Sequence, residues 1–390
     1  MSVSPVPSVP AAPGLKVALV HDWLTGLRGG EKVLASLARL FPEAPIFTLL
    51  HIRGSLSPEL ESRRIHTSFI QHLPWVTRHY RRYLPLFPAA IASLDLSGYD
   101  LVISSSHCAA KGVRVARHAL HVCYCHTPMR YVWDRYDDYF GPGRLPAPAR
   151  WVVGFVAEAL RAWDIATAAR VHHFVANSRY VAGRIRRYYG RESEVIYPPV
   201  DTDFFSPGDD QPPGDYDLVV SALAPYKRID LVLEAYRDTG RPLKIVGTGP
   251  EELDLRRRAP REAAFLGYVD DLALRALYRR CRAVVMPGVE DFGIVPLEAM
   301  ACGRPAVVHA EGGGSESVLP GQTGLVFREL SVGSLRQVID RLGTMRFNTA
   351  ALRAHAKRYS RRVFEERLRA FVDRAWSAGR PNPSIGAPLR

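Results

Sequence analysis

The stretch that decides the fold is RAVVMPGVEDFGIVPLEAMACGRPAVVHA, residues 282–310. It begins with a short apolar run, passes through a turn and a helical segment that starts near Pro296, and ends in a second apolar run. Proline suits the first turn of a helix, because its missing N–H is not needed there. Apolar strands that alternate with helices are typical of a parallel sheet. The stretch therefore predicts an α/β fold.

The same alternation continues on both sides of this stretch and falls into two halves. The first half contains the apolar runs KVALV, PIFTLL, DLVISSS, HVCYCH and HHFVANS. The second contains DLVVSAL, LKIVGTG, AFLGYV, RAVVMPG, PAVVHA and GLVF. Proline, glycine and aspartate cluster between the halves, as is typical of a linker. We therefore predict two α/β domains of similar size.

The predicted boundaries follow from these patterns. A disordered tail, a first domain, a linker and a second domain are expected at residues 1–14, 15–205, 206–215 and 216–358. Residues 359–378 predict an amphipathic helix that could pack back on the first domain, and residues 379–390 a second disordered tail. The apolar side of that helix is predicted to contain Phe364, Leu368, Phe371 and Trp376.

The composition restricts the partners. The chain has 390 residues, a net charge of +13 and a pI near 9.7, so an anionic partner is expected: nucleic acid, lipid headgroups or a phosphorylated substrate. No apolar run has the length of a bilayer span, and the first residues do not resemble a signal peptide, so a cytoplasmic location is predicted. The five cysteines have no disulfide or metal-site spacing and are expected to be buried.

Charged residues follow two of the predicted strands in the second half. Glu290 comes after one strand and Glu298 eight positions later, while Lys227 and Arg228 come after another. In open α/β sheets, ligands bind at the carboxyl ends of the strands. The turn between the glutamates offers backbone amides for phosphate or sugar oxygens, from Phe292, Gly293, Ile294 and Val295. Glu298 could instead be only a helix-dipole partner, and the two cations only solvated.

The first half has a glycine loop, GLRGGEK, between a predicted strand and helix. Gly29 and Gly30 would let the backbone approach an anion, although a tight turn explains them equally well. The spacing is not that of a P-loop.

In this order, HDWLTGLRGGEKVL, CHTPMRYVWD, NSRYVAGRIRRYYG, KIVGTGPEEL, FLGYVDD and the segment from Gly288 resemble the family 4 retaining glycosyltransferases. The similarity extends over the chain except its tails and is greatest to a bacterial, mannosyltransferase-like subgroup of surface-polysaccharide assembly. It implies two facing Rossmann-like domains, the GT-B fold, with an interdomain cleft. The second domain would bind a GDP- or UDP-sugar donor and the first domain the acceptor.

The resemblance also implies residue roles. Glu298 would bind the ribose, Glu290 the donor sugar and Lys227 the diphosphate, while His126 would lie near the transferred sugar. Gly29 and Gly30 would approach the phosphate, and Tyr268 and Val269 would lie in the nucleobase region. The family's usual arginine is replaced by Ala222, so Arg228 is a candidate for the second phosphate charge.

Two further patterns are less specific indicators of function. Asp201-Thr202-Asp203 spells a metal-binding triplet of another fold, but we interpret it as structural, and no metal or cofactor is expected. Residues 63–94 contain no acidic residue and combine arginines, among them Arg78, Arg81 and Arg82, with aromatic side chains. They predict either a solvated basic face or contact with an anionic membrane.

The favoured function is a hexosyltransferase that moves a hexose, with mannose preferred, from a nucleotide-sugar to a lipid-linked diphosphate oligosaccharide or another saccharide acceptor. The alternatives are a nucleotide-sugar epimerase or a non-catalytic sugar-nucleotide binder. A basic nucleic-acid-binding protein is less favoured, because no nucleic-acid motif is present.

Overall fold

The computed structural model describes residues 14–27, 29–141, 146–208 and 214–379. Most of both predicted tails and the centre of the predicted linker lie outside these residues. The chain divides into two compact units, Met1–Pro199 with Phe364–Arg390, and Val200–Val363. Residues 200–205, predicted in the first domain, group with the second unit because the Val200 N–H donates to the Tyr359 carbonyl at 2.9 Å.

The first unit contains a seven-stranded parallel sheet in the order β3-β2-β1-β4-β5-β6-β7 among its described residues. The strands are β1 Val17–His21, β2 Ile46–Thr48, β3 Ile65–Thr67, β4 Leu101–Ser106, β5 Leu120–Cys125, β6 His173–Ala176 and β7 Ser193–Val195. The helices are α1 Gly29–Leu40, α2 Pro58–Glu61, α3 Val76–His79, α4 Phe87–Ala92, α5 Tyr136–Phe140, α6 Ala147–Ala168 and α7 Arg179–Tyr189. Short 3₁₀ turns occur at Phe69–His72, Tyr80–Leu86 and Ala110–Gly112.

The second unit contains a six-stranded parallel sheet in the order β10-β9-β8-β11-β12-β13 within the described part of the chain. The strands are β8 Asp217–Val220, β9 Leu243–Val246, β10 Ala263–Gly267, β11 Val284–Met286, β12 Ala306–His309 and β13 Gly324–Phe327. The helices are α8 Ile229–Tyr236, α9 Glu252–Arg258, α10 Asp271–Arg280, α11 Val295–Ala301, α12 Val332–Thr344 and α13 Thr349–Lys357. Pro225–Lys227 and Gly313–Ser317 are 3₁₀ turns.

The last helix, α14 (Arg361–Ser377), begins in the second unit and continues in the first. Phe364, Leu368 and Phe371 pack in the same core cluster as the apolar side chains of β1 and α1. The prediction that Trp376 belongs to this apolar side was wrong: its side chain is 38% exposed. Val372, one helical turn earlier on the same face, and Ala375 are buried, so the buried face of the helix ends just before Trp376.

The predicted α/β class with two Rossmann-like domains is confirmed, since each unit has an all-parallel sheet with helical crossovers. The apolar runs became strands because central strands are covered on both faces. Two strands were missed, β3 and β7. Both are sheet edges with three residues and partly exposed side chains, so they have no apolar run for a pattern to detect.

Candidate functional site

In both sheets the first strand of the unit is central. Successive strands are added first on one side of it and later on the other, so the strand order reverses there. The connection after β1 leads to β2 on one side, and β4 later returns to the other side; β8, β9 and β11 repeat this arrangement. At such a switch point the neighbouring loops leave in opposite directions, which opens a crevice at the carboxyl ends of the strands where ligands bind. Each unit therefore has its own candidate site.

The second unit's switch point contains an ion pair. Lys227 closes the 3₁₀ turn after β8, Glu290 follows β11, and the lysine Nζ contacts the glutamate Oε1. Their side chains are 17% and 15% exposed. Gly288 permits this approach, because a Cβ there would lie 2.9 Å from the carbonyl oxygen of Tyr226. The two residues that were predicted separately from sequence are thus joined by the fold.

Arg228 is the next residue, but its side chain is bound differently. Its backbone is left-handed, with φ of 55°, at the start of α8. Its Nε lies 3.1 Å from Oδ1 of Asp230, in an ion pair whose side chains are 35% and 39% exposed. The guanidinium therefore has a carboxylate partner two residues away, whereas Lys227 has one on another loop.

Glu298 lies on α11 and is a fixed, buried carboxylate. It is 3% exposed, and Oε2 accepts a hydrogen bond of 2.9 Å from the hydroxyl of Tyr278 on α10. Burial, followed by the nearby charge of Glu298, raises the pKa of Tyr278 well above its usual value, so the phenol stays a donor. The sequence analysis did not identify Tyr278, because a tyrosine in a helix gives no signal of the partner it reaches.

The other predicted residues of this unit also follow the carboxyl ends of its strands. Phe292 is 2% exposed, Gly293 has a left-handed φ of 81°, and Ile294 and Val295 begin α11. The Gly313 N–H donates to the carbonyl of Glu290 at 2.8 Å, which attaches the loop after β12 to the Glu290 turn. Tyr268 and Val269 follow the edge strand β10, two strands from β8, and Tyr268 is 83% exposed.

The first unit's switch point contains a buried aspartate. Asp22 follows β1, and its carboxylate accepts the N–H groups of four successive residues after β4, His107 to Ala110, at 2.5 to 3.0 Å. Nδ1 of His107 lies 2.9 Å from Oδ2 of the same carboxylate. Burial alone would raise the pKa of Asp22, but its interactions with His107, followed by the nearby His21, lower it well below its usual value. Asp22 therefore holds the end of β1 to the loop after β4.

Two further histidines lie beside this aspartate. Nε2 of His126, after β5, is 2.8 Å from Ser105 Oγ, and Nδ1 of His21 is 3.1 Å from the same oxygen. Burial lowers the pKa of His21 to about 4 and that of His126 well below its usual value, so both rings are neutral at pH 7. Within the described residues, Nε2 of His21 has no hydrogen-bond partner.

The glycine loop lies against these rings. A Cβ on Gly30 would lie 3.3 Å from Cε1 of His21 and 3.7 Å from Nε2 of His126, while one on Gly29 would meet no atom within 4 Å. The structure therefore brings Gly30 and His126 together. Sequence reasoning missed His21, Asp22, Ser105 and His107, although the polar residues that end VALVHD and VISSSH were a detectable signal.

No metal-ligand cluster occurs in the described ranges, where no three histidine, cysteine, aspartate or glutamate residues are grouped suitably. In the Asp201–Asp203 triplet, Asp201 forms an ion pair with Arg361, and Thr202 is buried. These contacts give the triplet a structural role at the end of the second unit.

Two family models match the chain, one for each half. Residues 27–204 match "Glycosyltransferase Family 4", and residues 211–363 match "Glycosyl transferases group 1". A GDP-mannose-dependent alpha-(1-6)-phosphatidylinositol monomannoside mannosyltransferase of Mycolicibacterium smegmatis is 32% identical over 42% of this chain and 50% of its own. A D-inositol 3-phosphate glycosyltransferase of Mycobacterium bovis is 32% identical over 38% of this chain and 35% of its own. The chain thus spans half or less of the length of these curated relatives.

Solved structures have the same fold at lower sequence identity. A sucrose-phosphate synthase from Thermosynechococcus elongatus gives a TM-score of 0.69 at 17% identity, over 93% of this chain and all of its own. Anabaena HepE in complex with UDP gives a TM-score of 0.66 at 17% identity, with the same coverage. These similarities concern the fold of the backbone.

Proposed function

Because this chain belongs to the glycosyltransferases, with a family 4 domain followed by a group 1 domain, we propose that it is a retaining hexosyltransferase with a nucleotide-sugar donor. The single observation that supports this best is the Lys227–Glu290 pair at the second switch point. A cation beside a carboxylate matches a donor that has an anionic diphosphate next to a sugar rich in hydroxyl groups.

In this proposal the acceptor hydroxyl attacks the anomeric carbon on the face from which the diphosphate leaves. The bond between that carbon and the diphosphate oxygen breaks while the new glycosidic bond forms, and the proton of the acceptor hydroxyl passes to the departing diphosphate. Lys227 stabilises the charge that develops on the diphosphate, and Glu290 accepts hydrogen bonds from the sugar hydroxyls. Glu298 binds the ribose, held in place by Tyr278. Catalysis then depends on positioning and electrostatics.

The acceptor side is assigned to the first unit. His126 is partly exposed and neutral at pH 7, so it can exchange hydrogen bonds with hydroxyl groups without bringing a positive charge, whereas His21 beside it is fully buried. Gly30 leaves space beside both rings. We favour a lipid-linked diphosphate oligosaccharide or another saccharide as acceptor, in polysaccharide biosynthesis. Mannose is the favoured sugar, which the similarity to a GDP-mannose-dependent enzyme supports.

The proposal is tested by incubating the purified chain with a panel of GDP- and UDP-sugars and measuring hydrolysis of each donor. One or two donors should be hydrolysed slowly, and Lys227→Ala should abolish this hydrolysis. Epimerised donor among the products would instead identify an epimerase. Donor binding without any turnover would indicate a sugar-nucleotide binder, and salt-dependent DNA binding without donor binding a nucleic-acid protein.

We also propose that transfer needs no metal ion, because Lys227 supplies the charge that a divalent cation would otherwise provide. Activity with the donor found in the panel should persist in excess EDTA. Complete loss, restored by Mg²⁺ or Mn²⁺, would contradict the proposal.

Residues 63–94 are proposed to contact an anionic membrane from the cytoplasmic side. Arg78, Arg81 and Arg82 are exposed there, and no helix in the described residues is both long and apolar enough to cross a bilayer. The triple variant R78S/R81S/R82S should bind anionic vesicles less tightly at low salt and bind donor normally. Unchanged vesicle binding would leave the segment as a solvated basic face.

A further inference from the structure

Helix α6 exposes large apolar side chains at its N-terminal end. Trp151 is 79%, Val152 56% and Phe155 75% exposed. Trp151 and Phe155 are four residues apart, so they lie on the same face of the helix, with Val152 beside them. The opposite face packs in the core of the first unit through Ala157 and Leu160.

Trp151, Val152 and Phe155 thus form one contiguous exposed apolar face. An isolated exposed apolar residue needs no explanation, but adjacent bulky ones mark an interaction surface. No described residue of the first unit covers Trp151 or Phe155. Within that unit the face is therefore open to an external partner.

The neighbouring charges indicate what that partner is. Helix α6 and the segment Phe69–Ala92 pack on the same side of the first sheet, because both contribute to one core cluster around Ala110. That segment exposes Arg78, Arg81 and Arg82 together with Trp75, which is 77% exposed. An exposed apolar helix face on the side of the sheet that also exposes arginines and an indole ring fits an anionic lipid surface.

We propose that the N-terminal part of α6 is a membrane anchor that inserts Trp151 and Phe155 at the boundary between headgroups and acyl chains. The arginines of the Phe69–Ala92 segment contact the anionic headgroups in the same layer. A second copy of the chain is the less suitable occupant, because it would bring two chains of charge +13 together on the side of the sheet that exposes these arginines. The anchor extends the membrane contact proposed above and does not depend on glycosyl transfer.

The test compares two pairs of exposed apolar residues on vesicles of equal parts phosphatidylcholine and phosphatidylglycerol. The variant W151S/F155S should bind at least about tenfold more weakly than the parent, because it loses the two aromatic side chains that the bilayer would bury. The matched control L253S/L272S removes side chains that are 76% and 63% exposed in the second unit, and should bind like the parent. Equal binding by W151S/F155S and the parent would overturn the proposal.

The salt dependence of vesicle binding distinguishes the contribution of α6 from that of the arginines. High salt should weaken the contribution of Arg78, Arg81 and Arg82, whereas the contribution of α6 should persist, because apolar burial is not screened. W151S/F155S should therefore lose the salt-resistant binding and R78S/R81S/R82S the salt-sensitive binding. If all binding is salt-sensitive in the parent, α6 does not insert and the proposal fails.

Tryptophan fluorescence quenching tests the insertion with a conservative variant, so misfolding of W151S/F155S cannot explain the result. Lipids brominated in the acyl chains should quench tryptophan emission of the parent more than that of W151F, which retains an aromatic ring and the fold. Equal quenching would contradict insertion of Trp151. Light scattering without lipid tests the other occupant: a dimer that W151S/F155S dissociates would assign the face to a second copy and overturn the membrane anchor. Failure of glycosyl transfer would alter none of these results.

Discussion

The two switch points differ in how their polar groups are held. After β1, the Asp22 carboxylate is fully buried and accepts four backbone N–H groups, and the neighbouring rings of His21 and His126 are neutral. After β8, the side chains of Lys227 and Glu290 come from two loops, are partly exposed and are paired with each other. The first arrangement fixes the backbone, whereas the second is made of charges that a ligand can exchange.

The comparison shows that the same topology can serve two purposes. A carboxylate that satisfies backbone donors is needed for folding, because its removal leaves buried N–H groups without partners. A side-chain ion pair between two loops adds less to stability, and its charges remain available for a charged ligand. We expect substitutions to affect mainly stability at the first switch point and mainly ligand binding and turnover at the second.

The largest effect is expected for Asp22→Ala, which should lower the free energy of unfolding of the first unit by roughly 3–5 kcal/mol. The variant loses the acceptor of four N–H groups and of His107. Urea unfolding followed by fluorescence measures the loss. Asp230→Ala is the control, since it breaks only the exposed pair with Arg228 and should change stability by less than about 1 kcal/mol. Similar losses in both variants would remove the contrast between the switch points.

The second prediction concerns pH. Because the pKa of His21 is about 4 in the folded state and 6.5 in the unfolded chain, the unfolded chain binds this proton first as the pH falls. Stability should therefore be full above pH 6.5 and decrease toward pH 4, with His21 contributing on the order of 3 kcal/mol. The lowered pKa of Asp22 acts in a more acidic window.

Urea midpoints between pH 7 and pH 4.5 measure this dependence in the parent and in His21→Asn. The variant should show a shallower decrease, because asparagine does not titrate, while His126 and His121 still contribute with the same sign. Parallel curves for parent and variant would mean that the folded state binds the His21 proton at the same pH as the unfolded chain, which would contradict the lowered pKa.

The third prediction separates the two adjacent cations. Lys227→Ala should lower kcat/KM by about 100-fold or more with the donor identified in the panel, because the charge on the leaving diphosphate loses its partner. Arg228→Ala should lower it by less than about threefold, since Asp230 already holds the guanidinium. A large loss in Arg228→Ala would show that this arginine takes the place of the one absent at Ala222.

The smallest effects are expected at the predicted ribose contact. Glu298→Ala should weaken donor binding by roughly 1.5–3 kcal/mol, the usual contribution of a hydrogen bond to a charged group. Tyr278→Phe leaves the carboxylate in place and removes one hydrogen bond, so it should cost about 1 kcal/mol. Calorimetry with the same donor gives both values. Donor affinity that is unchanged in Glu298→Ala would exclude this residue from the site.

Local patterns were sufficient for the central strands and for the positions of Lys227, Glu290 and Glu298 after strands or at a helix start, whereas the roles of these residues stay predictions. Each central strand is an apolar run, and each of these charged residues either follows such a run or begins the next helix. The edge strands β3 and β7 were missed because their side chains are partly exposed. The exposure of Trp376 was also missed, since the residue at which the buried face of a helix ends depends on the surface against which the helix packs.

By itself, the sequence determined the α/β class, the two Rossmann-like halves and the charged residues at strand ends, because hydrophobic periodicity and turn chemistry act over a few residues. Only the tertiary structure decided which of those residues meet. Lys227 and Glu290 are far apart in sequence and become neighbours because β8 and β11 are adjacent in the sheet. Asp22 likewise reaches the amides after β4 because β1 pairs with β4. Strand order is set by packing of the whole domain, and no local pattern encodes it.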